Sequence, residues 1–228
     1  MSLTLYFHPF SSYCQKALIA LYESGTAFTS KIINLGDPAS AAELRRVWPL
    51  GRFPVLRDDA RDETIPESSM IVEYLALHYP GPVELVPKDA ELARKVRGLD
   101  RFFDLYINDP MSKIVTDNFR PAGRNDPHGV ETARTLLGTA YQILEQELAG
   151  KTWAAGESFT MADCAAAPFL FYANLVAPFQ NHARVSAYYN RLAARPSFLR
   201  ALKEAQPYNK GVPFEKAYAA EFARLTGT

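Results

Sequence analysis

The spacing of apolar positions changes period several times along the first 80 residues. Leu3–Phe7 reads as a short strand, and after the turn His8-Pro9-Phe10-Ser11-Ser12 the apolar residues Ala17, Leu18, Leu21 and Tyr22 fall on a helical repeat that Gly25 ends. Residues 28–35 are β-branched and alternating, residues 41–48 suit a short helix, and strands at 55–56 and 64–65 flank a charged turn. A helix is predicted over 67–79, where Pro80-Gly81-Pro82 stops it. Beyond this proline-rich stretch the strand signals vanish, and helical patterns run over 89–113, 127–149, 161–179, 185–194 and 198–205.

The order β-α-β-α-β-β-α is a thioredoxin-like arrangement. The change of pattern therefore predicts an α/β domain over residues 1–80, a linker at 81–88 and an all-helical domain over 89–228. A length of 228 residues with 48% hydrophobic composition is enough for two cores. Lys plus Arg equals Asp plus Glu at 25 each, so no net field recruits nucleic acid or an anionic membrane, and small molecules or proteins are the expected partners.

The opening residues lack the basic segment and apolar run of a secretory signal. The longest apolar stretch, 164–179, is interrupted by Pro168, Asn174 and Pro178, so a soluble, cytoplasmic chain is expected. Cys14 and Cys164 form no disulfide framework, in keeping with a reducing compartment. The histidines His8, His78, His128 and His182 show no ligand spacing, and no metal site is expected.

Four separated fragments carry candidate chemistry: S-S-Y-C from Ser11 to Cys14, G-R-F-P-V-L from Gly51 to Leu56, E-S-S from Glu67 to Ser69, and E-Y-L from Glu73 to Leu75. In order and placement they resemble the N-terminal domain of the cytosolic glutathione S-transferases of bacterial serine type, with a theta-, phi- or zeta-like site. The resemblance extends over nearly the whole chain, since Phe159-Thr160-Met161-Ala162-Asp163 is similar to the family's capping box before a central helix.

The resemblance implies glutathione as co-substrate, a small electrophile as second substrate, and a homodimer. Redox relatives of the fold read C-P-Y-C where this chain has serine first, so dithiol chemistry is lost. Ser11, at the start of the first helix, would donate to the glutathione sulfur and favour thiolate over thiol, with Ser12 as the alternative donor. Its plain alternative is a helix cap. Cys14 reads either as a resolving thiol or as a small buried hydrophobe.

Pro54 would follow a cis bond that turns the Phe53 main chain toward the cysteinyl part of glutathione. Glu67 would take the γ-glutamyl ammonium and Ser68 its carboxylate, unless the two form a simple capping pair. Arg52 meets the glycyl carboxylate or lies in solvent. Two departures from the pattern fall at that end: Trp48-Pro49 replaces an Asn-Pro, and residues 39–42 hold no His or Lys.

Arg94, Lys95, Arg97 and Arg101 read as a solvated basic face, and Phe102, Phe103 and Tyr106 as core or pocket. The aromatic tail Tyr208, Phe214, Tyr218 and Phe222 either caps the acceptor pocket or covers the core. Glutathione-dependent isomerisation, dehalogenation, reduction through Cys14 and a non-catalytic scaffold are the alternative readings of the same fragments.

Overall fold

A computed structural model describes residues 2–227. Strand β1 (Leu3–Phe7), helix α1 (Ser12–Ser24), strand β2 (Thr29–Ile32), helix α2 (Pro38–Val47), strands β3 (Val55–Asp58) and β4 (Glu63–Pro66) and helix α3 (Ser68–His78) make the first unit. The sheet order is β2-β1-β3-β4, with β1 parallel to β2 and antiparallel to β3, and with Leu5 opposite Leu56. This is the expected thioredoxin-like domain.

The strand period of two separates the faces. Leu3, Leu5 and Phe7 join α1 and α3 in the main core, whereas Tyr6 and Val55 face Ile33 and Leu44 on the α2 side. Gly25 ends α1 at φ 68°, returning its N–H toward the Leu21 and Tyr22 carbonyls, a left-handed conformation that only glycine adopts cheaply. Helix α2 begins three residues before the expected start. Asp37 caps it by accepting the Ala39 N–H, and Pro38 occupies the first turn, where a missing donor is harmless.

After the linker come α4 (Ala90–Phe102), a π-helical turn (Phe103–Asn108), α5 (Asp109–Asp117), α6 (Pro127–Glu147), α7 (Met161–Val176), α8 (Ala183–Ala193), α9 (Pro196–Ala205) and α10 (Glu215–Thr226). The helix expected over 89–113 is thus longer, and it is interrupted by the π turn. Pro110 supplies a reason, because in a regular helix its ring would meet the Tyr106 carbonyl, and the widened turn relieves that crowding.

Helix α7 runs through the centre, with every residue from Met161 to Ala173 buried. Its Asp163 does more than cap. The carboxylate accepts the Thr160 N–H at 2.8 Å and hydroxyl at 3.0 Å, the Ala154 N–H at 2.9 Å and the Tyr188 hydroxyl at 2.6 Å, tying three segments together. Helix α10 was not expected; of the aromatic tail it holds Tyr218 and Phe222, and Tyr218 is fully buried and covers the core, while Phe214, just before it, lines a cavity with residues of α1 and α5.

Candidate functional site

The N-terminus of α1 opens between two adjoining cavities that share Tyr13. Ser11 is the N-cap in extended conformation, and its hydroxyl oxygen accepts the Cys14 N–H at 3.4 Å. Capping uses a lone pair and leaves the hydroxyl proton free to donate. Ser12 differs, because its hydroxyl donates to Asn108 Oδ1 across the domain boundary at 2.9 Å. Of the two serines, Ser11 therefore keeps an uncommitted donor beside the unpaired N–H groups of the first turn.

Cys14 lies under this turn with no exposed surface, its sulfur accepting the His8 N–H at 3.4 Å. Burial pushes its thiol up to about 12, despite opposing hydrogen bonds from Ser11 and His8. A thiol so placed is a small hydrophobe and a poor nucleophile.

The larger cavity, about 440 Å³, brings together Arg52, Phe53, Pro54, Glu67 and Ser68, all five of the residues expected to hold glutathione. The Phe53-Pro54 bond is cis. Among the described residues Phe53 enters no hydrogen bond, so its N–H and C=O are available to an extended ligand. Glu67 precedes α3 at φ 70°, a conformation that costs a residue with a Cβ, and its side chain makes no cap bond. The simple capping pair is therefore not formed. Ser68 is buried, and its hydroxyl has no partner within the described chain. Arg52 is exposed at the mouth.

Sequence reasoning missed the most unusual polar group here. Lys16, one turn along α1 from Ser12, is fully buried, 2.7 Å from Asp100 Oδ1 and 3.1 Å from Asp104 Oδ1. It also donates to the Ser69 hydroxyl at 2.7 Å, which in turn donates to Asp100 Oδ2 at 2.7 Å. Burial pushes the Asp100 carboxyl up, against the pull of Lys16. The cluster fastens the first turn of α3, where Ser68 sits, to both α1 and the helical domain.

The second cavity, about 290 Å³, is walled by Phe10, Tyr13, Met111, Phe119, Tyr172 and Phe214 and carries no ionised side chain. Phe103 is buried while Tyr106 is 45% exposed, so the aromatic run on the helix after the linker is core at one end and surface at the other. The basic face is solvated and paired, Arg94 with Glu91 and Arg97 with Glu73. No helix of the described residues is long and apolar enough to cross a membrane.

Comparison with known proteins agrees with this fold. A family model described as glutathione S-transferase, N-terminal domain, matches residues 5–83, and one described as glutathione S-transferase, C-terminal domain, matches residues 100–196. A glutathione S-transferase-like protein of Fusarium sp is 32% identical over 58% of this chain, which spans 59% of that relative's length. A stringent starvation protein A homolog of Haemophilus influenzae is 27% identical over 91% of this chain and 93% of its own. Among solved structures, a glutathione S-transferase of Methylobacillus flagellatus with glutathione bound superposes with a TM-score of 0.79 at 26% identity, covering 88% of this chain and 98% of that one. Fold and family models coincide: the chain belongs to the cytosolic glutathione S-transferase family.

Proposed function

We propose that the protein is a glutathione transferase in which Ser11 stabilises the thiolate. The observation that carries this reading is the free hydroxyl proton of Ser11 at the junction of the polar and apolar cavities, while that of Ser12 is taken by Asn108. Glutathione lies in the larger cavity, with Phe53 pairing main chain to main chain, Glu67 and Ser68 on the γ-glutamyl end and Arg52 toward the glycyl carboxylate. The thiol proton passes to solvent. The sulfur then forms a bond to an electrophilic carbon held in the apolar cavity, and the leaving group departs with its bonding pair.

Retention on glutathione-agarose, a calorimetric isotherm near one glutathione per chain and conjugation of an activated aryl chloride are the expected results. Absence of glutathione binding overturns the reading. A second reading, a non-catalytic scaffold of the same fold, is favoured by the similarity to a stringent starvation protein A homolog over 91% of the chain. Binding without turnover across a panel of aryl halides, epoxides and enones would select it.

The same reading includes a homodimer. On α3, Met70 and Leu77 are 55% and 74% exposed, while Ile71 and Tyr74 face the core, so apolar surface remains next to the larger cavity, which Met70 lines. Sedimentation at micromolar concentration should give about twice the 25.5 kDa chain mass, and a single species at that chain mass would overturn the dimer.

A further inference from the structure

Two peptide planes precede Ser11, and each is held at both ends. In the plane joining Phe10 to Ser11, the Ser11 N–H donates to the His8 carbonyl at 3.0 Å, and the Phe10 carbonyl accepts the Tyr172 hydroxyl at 2.9 Å. In the plane joining Pro9 to Phe10, the Phe10 N–H donates to His8 Nδ1 at 3.2 Å, and the Pro9 carbonyl accepts Gln15 Nε2 at 2.9 Å. The two outer clamps are themselves joined, because Gln15 Nε2 also donates to the Tyr172 hydroxyl at 3.1 Å.

The direction of every proton in this chain is fixed. Tyr172 spends its only hydrogen on Phe10, so it accepts from Gln15, and both Gln15 amide hydrogens are consumed. Gln15 is fully buried and its Oε1 has no partner, so its buried amide serves as a donor only. Rotation of either peptide plane would strand a buried carbonyl and swing the Ser11 Cα–Cβ bond away from the cavity junction.

We propose that Tyr172, acting with Gln15, is a positioning residue for Ser11, by which the helical domain sets the direction of the thiolate-stabilising hydroxyl. The inference rests on the transferase reading of Ser11. Tyr172 turns its hydroxyl into the protein, where it is bonded to Phe10 and Gln15. Its ring forms part of the acceptor wall, so Tyr172→Phe keeps the wall and removes only the clamp.

The test measures the ultraviolet thiolate absorbance of bound glutathione against pH, with conjugation kinetics toward an activated aryl chloride. Tyr172→Phe should raise the thiol pKa by about half to one unit and lower kcat about threefold to tenfold, with little change in the KM for glutathione. Gln15→Met, close in shape but without donors, should act in the same direction. Neither shift should appear when the substitutions are added to Ser11→Ala. A purely structural role would lower the melting temperature and leave the thiol pKa in place, and that result overturns the proposal. If Ser11→Ala moves the pKa while both other variants leave it unchanged, the positioning role alone fails; if Ser11→Ala itself leaves it unchanged, both the role and the reading beneath it fail.

Discussion

Replacing Ser11 by alanine should raise the pKa of bound glutathione by about 1 to 2 units and lower kcat/KM by about 10²-fold, the scale of losing one preorganised donor to a developing or resident anion. Lowering a thiol from about 8.5 to about 6.5 needs roughly 3 kcal/mol of preference for thiolate, within reach of one charge-assisted hydrogen bond aided by the α1 N-terminus. The cap bond from Cys14 to Ser11 is 3.4 Å long, so its loss should cost stability only modestly. Ser12→Ala removes a bond to Asn108 and should leave the thiol pKa in place, because that hydroxyl is already committed. Thiolate absorbance against pH decides the matter: an unchanged curve for Ser11→Ala sinks the assignment, and a shifted curve for Ser12→Ala transfers it.

A second large effect is expected at Lys16. With the cation removed, as in Lys16→Met, Asp100 and Asp104 would face each other inside the protein with side-chain exposures of 2% and 7%, and among the described residues only Ser69 and Arg101 would still donate side-chain hydrogen bonds to them. Breaking such a buried group by deleting one partner costs about 3 to 5 kcal/mol, a large part of the stability of an ordinary domain.

The pH dependence follows from the direction of the carboxyl shift. Asp100 already sits above its ordinary value through burial, and loss of Lys16 raises it further. A carboxyl whose folded pKa is raised disfavours the fold increasingly as pH rises through that value. The gap between variant and parent should therefore be widest near neutrality and narrow as the pH falls through the carboxylate range. Urea denaturation at a series of pH values measures it, and equal midpoints near neutral pH would show that the cluster contributes nothing net.

The contrast between Ser11 and Lys16 shows what the sequence exposes. Signals that act within a few residues are legible, as in Gly25 ending α1 and the Thr160 to Asp163 box; the resemblance adds the cis bond before Pro54 and three fragments that reach one cavity through Tyr13, residues 52–54 and residues 67–69, whereas Glu73 and Tyr74 of the fourth lie outside it. Asp37-Pro38 is an equally local cap signal, and it starts α2 three residues ahead of the apolar positions that mark the helix. Gln15 and Lys16 were of another kind. A glutamine followed by a lysine on a helix reads as its wet face, and only partners 157 and 88 residues away, Tyr172 and Asp104, turn that face into the interior. No local pattern encodes which side of α1 a second domain will cover. The tail suffered similarly, because the burial of Tyr218 is decided by α7 and α9 and not by its neighbours in sequence.

The π turn between α4 and α5 acts as a correction of phase. In a regular helix four residues advance about 400°, so side chains at 100, 104 and 108 would drift by about 40° at each step and spiral off a facing helix. A wider turn makes each residue advance less, and it is inserted between the second and third of these positions. Asp100, Asp104 and Asn108 thereby stay in one line along α1, where Lys16 meets the first two and Ser12, one turn back, meets the third. The two helices are keyed like a ruler and its vernier, and the extra width of a single turn keeps the marks aligned from the buried lysine to the mouth of the site.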